Sequence, residues 1–143
     1  MSKYTNHFLG NNEELPHRET ISAVFLVAFQ NGKILSVQNE RGWDIPGGHL
    51  EGEEEPFIGL QREVIEEAGA LVKNATPYAV LSSSISPKVM LFFKSDSIEL
   101  VQFVPSEDAL DRALLDPEDL LGRYYGDKDL LRSLIEGGQE NLE

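Results

Sequence analysis

From Ile21 to Gln30 the chain reads ISAVFLVAFQ, an almost unbroken apolar run of the kind that forms a strand buried on both faces. Asn31-Gly32 follows, a pair suited to a tight hairpin because both positions tolerate positive φ. Residues 33–38, with Ile34, Leu35 and Val37, then read as the antiparallel partner. A further buried strand is expected over 88–94, KVMLFFK, and a short one over 100–104. Residues 71–84 hold one long or two short strands, with Pro77 implying an edge or bend. Ser82, Ser83, Ser84 and Ser86, followed by Pro87, read as a flexible loop; with no histidine after them in the chain, they do not suggest a nucleophilic triad.

Between these apolar runs the period changes. Pro56 suits a first helical position, where a missing N–H costs nothing, and Gly69 suits the left-handed residue past the last turn. At about 100° per residue, Phe57, Leu60, Val64 and Ala68 share one face and Ile58 and Ile65 widen it. Glu63, Glu66 and Glu67 fall together on the opposite flank, with Gly59 one turn before them, its bare backbone leaving room for something to approach. Toward the C-terminus, Ser106 reads as the cap of a helix over 106–114, a second helix starts at Asp116-Pro117, and a final one covers 127–136 with Leu130, Leu131, Leu134 and Ile135 inward. This predicts a polar N-terminal extension over 1–18, one domain over 19–136 and a frayed tail over 137–143. Central apolar strands with a few helices fit an α+β or α/β/α sandwich with a mixed sheet.

With 143 residues, 41% of them hydrophobic, the chain suffices for one domain with a core and is too short for two ordinary ones. It has no cysteine, which excludes disulfides, thiolate nucleophiles and cysteine-held zinc or iron. The polar N-terminus lacks an apolar signal core and no apolar run is long enough to span a bilayer, so a soluble, cytoplasmic protein is expected. Asp and Glu total 25 against 12 Lys and Arg, a formal charge of −13, which argues against a nucleic-acid duplex or an anionic membrane as partner. A small phosphorylated substrate remains compatible, because bound cations invert the local potential.

The charge pattern of the central helix points to such cations. Glu63 is a neighbour of both Glu66 and Glu67, each exposed pair costs about a few tenths of a kcal/mol, and all three crowd the helix end where the dipole disfavours negative charge. A hard divalent ion removes both penalties, and an all-oxygen set suits Mg²⁺, or Mn²⁺ in its place, rather than zinc. A solvated acidic face is the competing reading. The preceding WDIPGG loop favours the metal: Gly47-Gly48 lets backbone carbonyls approach a ligand. Trp43 in that loop reads first as a core anchor and second as a ring against a substrate base.

The spacing Gly48, five residues, Glu54, seven residues, Arg62-Glu63-Val64, one residue, Glu66-Glu67, one residue, Gly69 resembles the signature box of the Nudix hydrolases, with Ala70 standing where a larger aliphatic residue is usual. The resemblance implies the Nudix α/β/α sandwich and Mg²⁺-dependent hydrolysis of a pyrophosphate linkage, in a nucleoside triphosphate or a nucleoside diphosphate joined to another moiety. It implies Glu63, Glu66, Glu67 and the Gly47 carbonyl as metal ligands, Arg62 as the partner that orients the box carboxylates, and Glu54 as a support of the loop. It leaves the general base open between Glu66 and a distant acid, for which Glu99 is the candidate and Asp96 the reserve. Tyr124, like Trp43, is a candidate border of the substrate site, and a homodimer is a family expectation. The rival from another class is a catalytically silent module that binds ADP-ribose or a similar nucleotide. Prenyl diphosphate isomerisation, elsewhere in the superfamily, loses a familiar component with the missing cysteine.

Overall fold

The computed structural model describes residues 3–140. Strands β1 (Tyr4–Phe8), β2 (Ile21–Gln30), β3 (Lys33–Asn39), β4 (Gly42–Asp44) and β5 (Gly47–His49) precede helix α1 (Pro56–Ala68). Then come β6 (Ala70–Ser83), β7 (Ser86–Leu100), β8 (Asp111–Leu115) and helices α2 (Pro117–Arg123) and α3 (Lys128–Gln139). The sheet runs β1-β6-β7-β2-β3-β4, with β5 added to β2 and β8 to β3. Its mixed character comes from β2, which lies parallel to β7 and antiparallel to β3.

Alternation along β2 divides the core. Val24, Leu26 and Ala28 pack with Leu60, Val64 and Ala68 of α1, while Val27 and Phe29 pack on the other face with Leu120 and Leu121 of α2 and Leu131, Leu134 and Ile135 of α3. A strand that sends successive side chains to opposite faces needs apolar residues at every position when both faces are covered, and this sandwich is the α+β architecture expected. The Asn31-Gly32 turn has φ of 54° and 79°, the geometry that matches strand twist in a two-residue hairpin.

Strand β2 also changes partner along its length, and this positions the glycine loop. It meets β3 at Phe29 and Gln30, whereas Ala23, Val24 and Phe25 pair with His49, Gly48 and Gly47. The double glycine is thereby held as a short strand beside α1.

Several expectations are corrected. Residues 106–114 do not form a helix: Ser106 and Ala109 close a tight turn on each other, and 111–115 are a strand in register with β3 from Gln38↔Asp111 to Ile34↔Leu115. The serine segment is the tight Ser84-Ile85 turn between two long strands, paired at Ser83↔Ser86. Strand β7 runs on to Leu100, so 96–99 lie in a strand and 101–104 outside one. The N-terminal extension supplies an edge strand, since Tyr4–Phe8 pair with β6. Helix α3 continues through Gly137 and Gly138 to Gln139, where Gly138 packs near Val27 and Tyr78, so tertiary contact extends the helix past the expected end at 136; residues 141–143 of the expected frayed tail lie outside the described ones. No described helix is long and apolar enough to cross a membrane.

Candidate active site

Helix α1 starts and stops where its sequence signals lie. The Glu55 side chain accepts from the Ile58 amide at 3.1 Å, Pro56 occupies the first turn, and Gly69 takes φ 59°, ψ 49° with its N–H on the Ile65 carbonyl. Leu60, Val64 and Ala68 are fully buried, but Ile58 and Ile65 are 54% and 46% exposed, so the apolar face is narrower than expected. The space beside Gly59 is filled by the protein's own loop: a Cβ there would stand 2.3 Å from Leu50 Cδ2 and 2.9 Å from Glu54 Oε1.

Arg62 organises the acidic flank. Its Nε donates to Glu54 Oε2 at 2.8 Å and one terminal nitrogen to Glu54 Oε1 at 3.0 Å, a two-point grip, while the other reaches Glu63 at 3.0 Å and Glu66 at 3.4 Å. These hydrogen bonds, with one from the Glu51 amide, hold the Glu54 carboxyl down at about 2. A second arginine, Arg18, ties the same turn to the N-terminal segment through the Glu54 and Gly52 carbonyls.

Glu63 and Glu67 turn toward the double glycine. The Gly47 N–H donates to Glu67 Oε1 at 2.9 Å. On a strand, a residue's N–H and C=O lie on the same side, so the Gly47 carbonyl shares the edge that faces the helix. Glu63 lies against Gly48, where a Cβ would stand 2.5 Å from its Oε2. Burial raises the Glu63 carboxyl above its ordinary value, against the opposing pull of Arg62. Burial, and beyond it the charges of Glu63, Asp44 and Asp108, push Glu67 up to about 7, although the Gly47 hydrogen bond works in the other direction. Two half-buried carboxylates whose charged forms are disfavoured, with a backbone amide edge beside them, form an all-oxygen donor set compatible with a hard divalent cation. Among the described residues no three acidic or histidine side chains converge tightly enough to enclose an ion.

The remaining candidates separate. Trp43 is 8% exposed and sits in the core layer under α2 and α3, which is the anchor role and leaves little of its ring for a ligand. Glu99 forms an ion pair with Lys73 at 2.9 Å on an exposed surface, and Asp96 is exposed on the same strand. Tyr124 is half-buried against Tyr125, with ring centroids 5.5 Å apart, and lines an apolar cavity of about 260 Å³ with Phe25, Met90, Phe92 and Asp44.

Three residues that sequence reasoning did not single out also converge here. Asp44 accepts from the Ile45 amide at 2.7 Å and the Tyr125 hydroxyl at 3.2 Å, and burial pushes its carboxyl up to about 6. Asp108 shares with Glu67 a cavity of about 460 Å³. Arg112 closes the C-terminal end of α1, donating to the Ala68, Gly69 and Val101 carbonyls at 3.1, 2.7 and 2.9 Å. The position of Asp44, directly before Ile45-Pro46-Gly47-Gly48, was a readable signal; the other two reach the site through chain folding alone.

The sequence profile of the NUDIX domain matches residues 16–134. A MutT-like protein of Streptomyces ambofaciens is 32% identical over 81 residues, which cover 55% of this chain and 53% of the relative; the chain therefore spans about half the length of that relative. A mutant of the Bacillus subtilis pyrophosphohydrolase BsRppH superposes with a TM-score of 0.72 at 22% identity, over 94% of this chain and 87% of the other. A MutT protein from Bacillus halodurans does so with 0.63 at 20% identity, over 79% and 80%. At these identities the structural likeness speaks for the fold.

Proposed function

The chain belongs to the Nudix family, and from that premise we propose that it is a Mg²⁺-dependent pyrophosphohydrolase of small nucleotide-like substrates, with Mn²⁺ as a substitute ion. The observation that carries the reading is the pairing of Glu67 with the Gly47 amide and of Glu63 with the bare Gly48 backbone, which brings the acidic flank of α1 and a backbone edge to one place.

In this reading Glu63, Glu66, Glu67 and the Gly47 carbonyl hold the ion. Bound there, the ion would supply charge neutralisation at phosphate oxygens and would acidify the attacking water. Arg62, locked on Glu54, sets the rotamers of Glu63 and Glu66, as partners of ligating carboxylates do. Arg112 fixes the helix end from which Glu66 and Glu67 project. We assign to Glu66, the most exposed of the three at 59% of its side chain, the acceptance of a proton from attacking water. Asp108, which lines the same cavity as Glu67 and acts on it through its charge, takes the role of distant acid in preference to Glu99, whose charge is engaged by Lys73.

The test is turnover over a panel of nucleoside triphosphates, ADP-ribose, nucleotide sugars and dinucleoside polyphosphates with Mg²⁺ in ¹⁸O-water, reading product masses. A labelled phosphate product supports hydrolysis and identifies the phosphorus attacked. Saturable binding with no product across the panel would instead support a nucleotide-binding module.

A further inference from the structure

We infer that Arg41 is a substrate-binding residue whose guanidinium grips a phosphate lying beyond the diphosphate handled by the box carboxylates, which makes the substrate a nucleoside 5′-triphosphate rather than a nucleotide bearing an uncharged sugar. The inference deepens the pyrophosphohydrolase reading and rests on it.

The cavity of about 460 Å³ beside Glu67 is lined by four carboxylates, those of Glu40, Glu67, Glu107 and Asp108, and by a single cation, Arg41. A guanidinium in such company ordinarily pairs with a carboxylate. Among the described residues Arg41 forms no ion pair; its guanidinium sits over the Tyr125 ring, 5.5 Å from the centroid. Arg18, Arg62, Arg112 and Arg132, by contrast, each commit their donors to protein carbonyls or carboxylates.

The platform beneath Arg41 is fixed from several sides. Asn39 Oδ1 accepts from the Arg41 amide at 2.8 Å, and Asn39 Nδ2 donates to the Tyr125 hydroxyl at 3.0 Å, which in turn reaches Asp44. The next residue, Gly42, has φ 146°, and a Cβ on it would stand 2.5 Å from the Arg123 carbonyl oxygen, so the turn carrying Arg41 is pressed against the end of α2. The result is an exposed guanidinium, held over an aromatic face, with its N–H donors free. A planar fork of donors matches two phosphate oxygens, and aromatic stacking reduces the ordering cost of engaging them. The same cavity reaches the acidic flank at Glu67, so a phosphate chain lying along it meets the box at one end and Arg41 at the other.

Calorimetric titration with Mg²⁺ tests this, using an α,β-imido nucleoside triphosphate and an adenosine diphosphate sugar as probes. Arg41→Ala is expected to weaken the triphosphate about tenfold and leave the sugar nucleotide unchanged, and Arg41→Lys should recover part of the loss. Lys33→Ala, which removes a charge from the remote β2–β3 turn, should change neither. Equal affinity of wild type and Arg41→Ala for the triphosphate, the same loss for both probes, or no binding of the triphosphate by wild type would overturn the inference. Because the readout is affinity, absent turnover in the wild type counts against the pyrophosphohydrolase reading, whereas unchanged affinity counts against Arg41 alone.

Discussion

The Glu63 carboxylate rests on the bare backbone of Gly48, so closely that a Cβ at that glycine would stand 2.5 Å from Oε2. Gly48 is not among the positive-φ residues, so alanine is compatible with its backbone and only the end of a flexible side chain must move. Gly47 differs: its φ is 155° and a Cβ would stand 2.3 Å from the Val24 carbonyl oxygen, a rigid neighbour. Gly48→Ala should keep the thermal midpoint within a few degrees while cutting turnover about tenfold or more through a displaced Glu63. Gly47→Ala should cost about 3 kcal/mol of stability through strain and overpacking. Thermal melts and rates on the two variants check this, and a Gly48→Ala enzyme with full activity would detach Glu63 from the chemistry.

The two-point Arg62–Glu54 contact carries a pH signature. The Glu54 carboxyl lies at about 2 in the fold against an ordinary 4.5. A depressed carboxyl contributes stability that is complete above the unfolded value and is lost as pH falls from about 4.5 toward about 2. Glu54→Gln should therefore be less stable than wild type at pH 7, with the gap closing near pH 2.5 in urea titrations. A gap of the same size at both pH values would show that the charge contributes nothing. Arg62→Lys, which keeps the charge but not the fork, should lower turnover by releasing Glu63 and Glu66.

Helix α1 was legible because its start, stop and period are all local: Pro56, Gly69 and a stripe at Leu60, Val64 and Ala68. Strand β8 was not, because Leu110, Ala113 and Leu114 fit helical spacing as well as alternation, and what decides between them is pairing with β3, some 75 residues earlier in the chain. The same distinction divides the site. The box residues lie within one loop and helix and could be read from spacing. Arg112, Asp108 and the Arg41–Tyr125 contact join segments far apart in sequence, and so does the Lys73–Glu99 ion pair, which no local spacing announces. Exposed Ile58 and Ile65 show the limit of periodicity, which gives direction on a helix but not how wide the covering layer is.

Arg112 shows what such a long-range contact contributes. Its guanidinium satisfies the carbonyls of Ala68 and Gly69, where α1 ends, and of Val101, and its charge complements the negative end of the helix dipole. Hydrogen bonds to a charged donor are worth about 1.5–3 kcal/mol each way, so Arg112→Ala should destabilise the fold by about 2 kcal/mol, lowering the thermal midpoint. Hydrogen exchange should reveal the loss first at the last turn of α1, near Glu66 and Glu67. Unchanged protection there would mean that Gly69 caps the helix unaided.

The box acids and the distant acid make separable predictions. Glu66→Gln or Glu67→Gln should reduce turnover by at least about 100-fold with the fold intact, in the range for loss of a metal ligand or general base. Asp108→Asn should reduce it by about tenfold or more, and Glu99→Gln should leave it within about twofold, since an exposed ion pair contributes little. Steady-state rates on one substrate rank the four variants. A large loss at Glu99 with none at Asp108 would reverse the assignment.

Asp44 is a buried acid that the fold holds at a cost. Its carboxyl is pushed up to about 6 from an ordinary 3.8, so the folded state binds the proton more tightly than the unfolded one. The contribution of Asp44 to stability is then most favourable below about 3.8, declines as pH rises through 6, and is flat above; the difference corresponds to about 3 kcal/mol as an order of magnitude. Asparagine keeps an oxygen for the Ile45 amide and places an N–H donor where the second carboxylate oxygen meets the Tyr125 hydroxyl, which can accept, while removing the charge. Asp44→Asn should therefore be more stable than wild type at pH 8, with the advantage shrinking toward pH 4. An acid retained at such a cost, on the wall of an apolar cavity lined by Phe25, Phe92 and Tyr124, is the polar group that would orient a ligand there, so the same variant should raise KM about tenfold. Urea titrations at the two pH values together with KM measurements settle the matter, and a variant that is more stable at pH 8 yet has an unchanged KM would leave Asp44 without a role in binding.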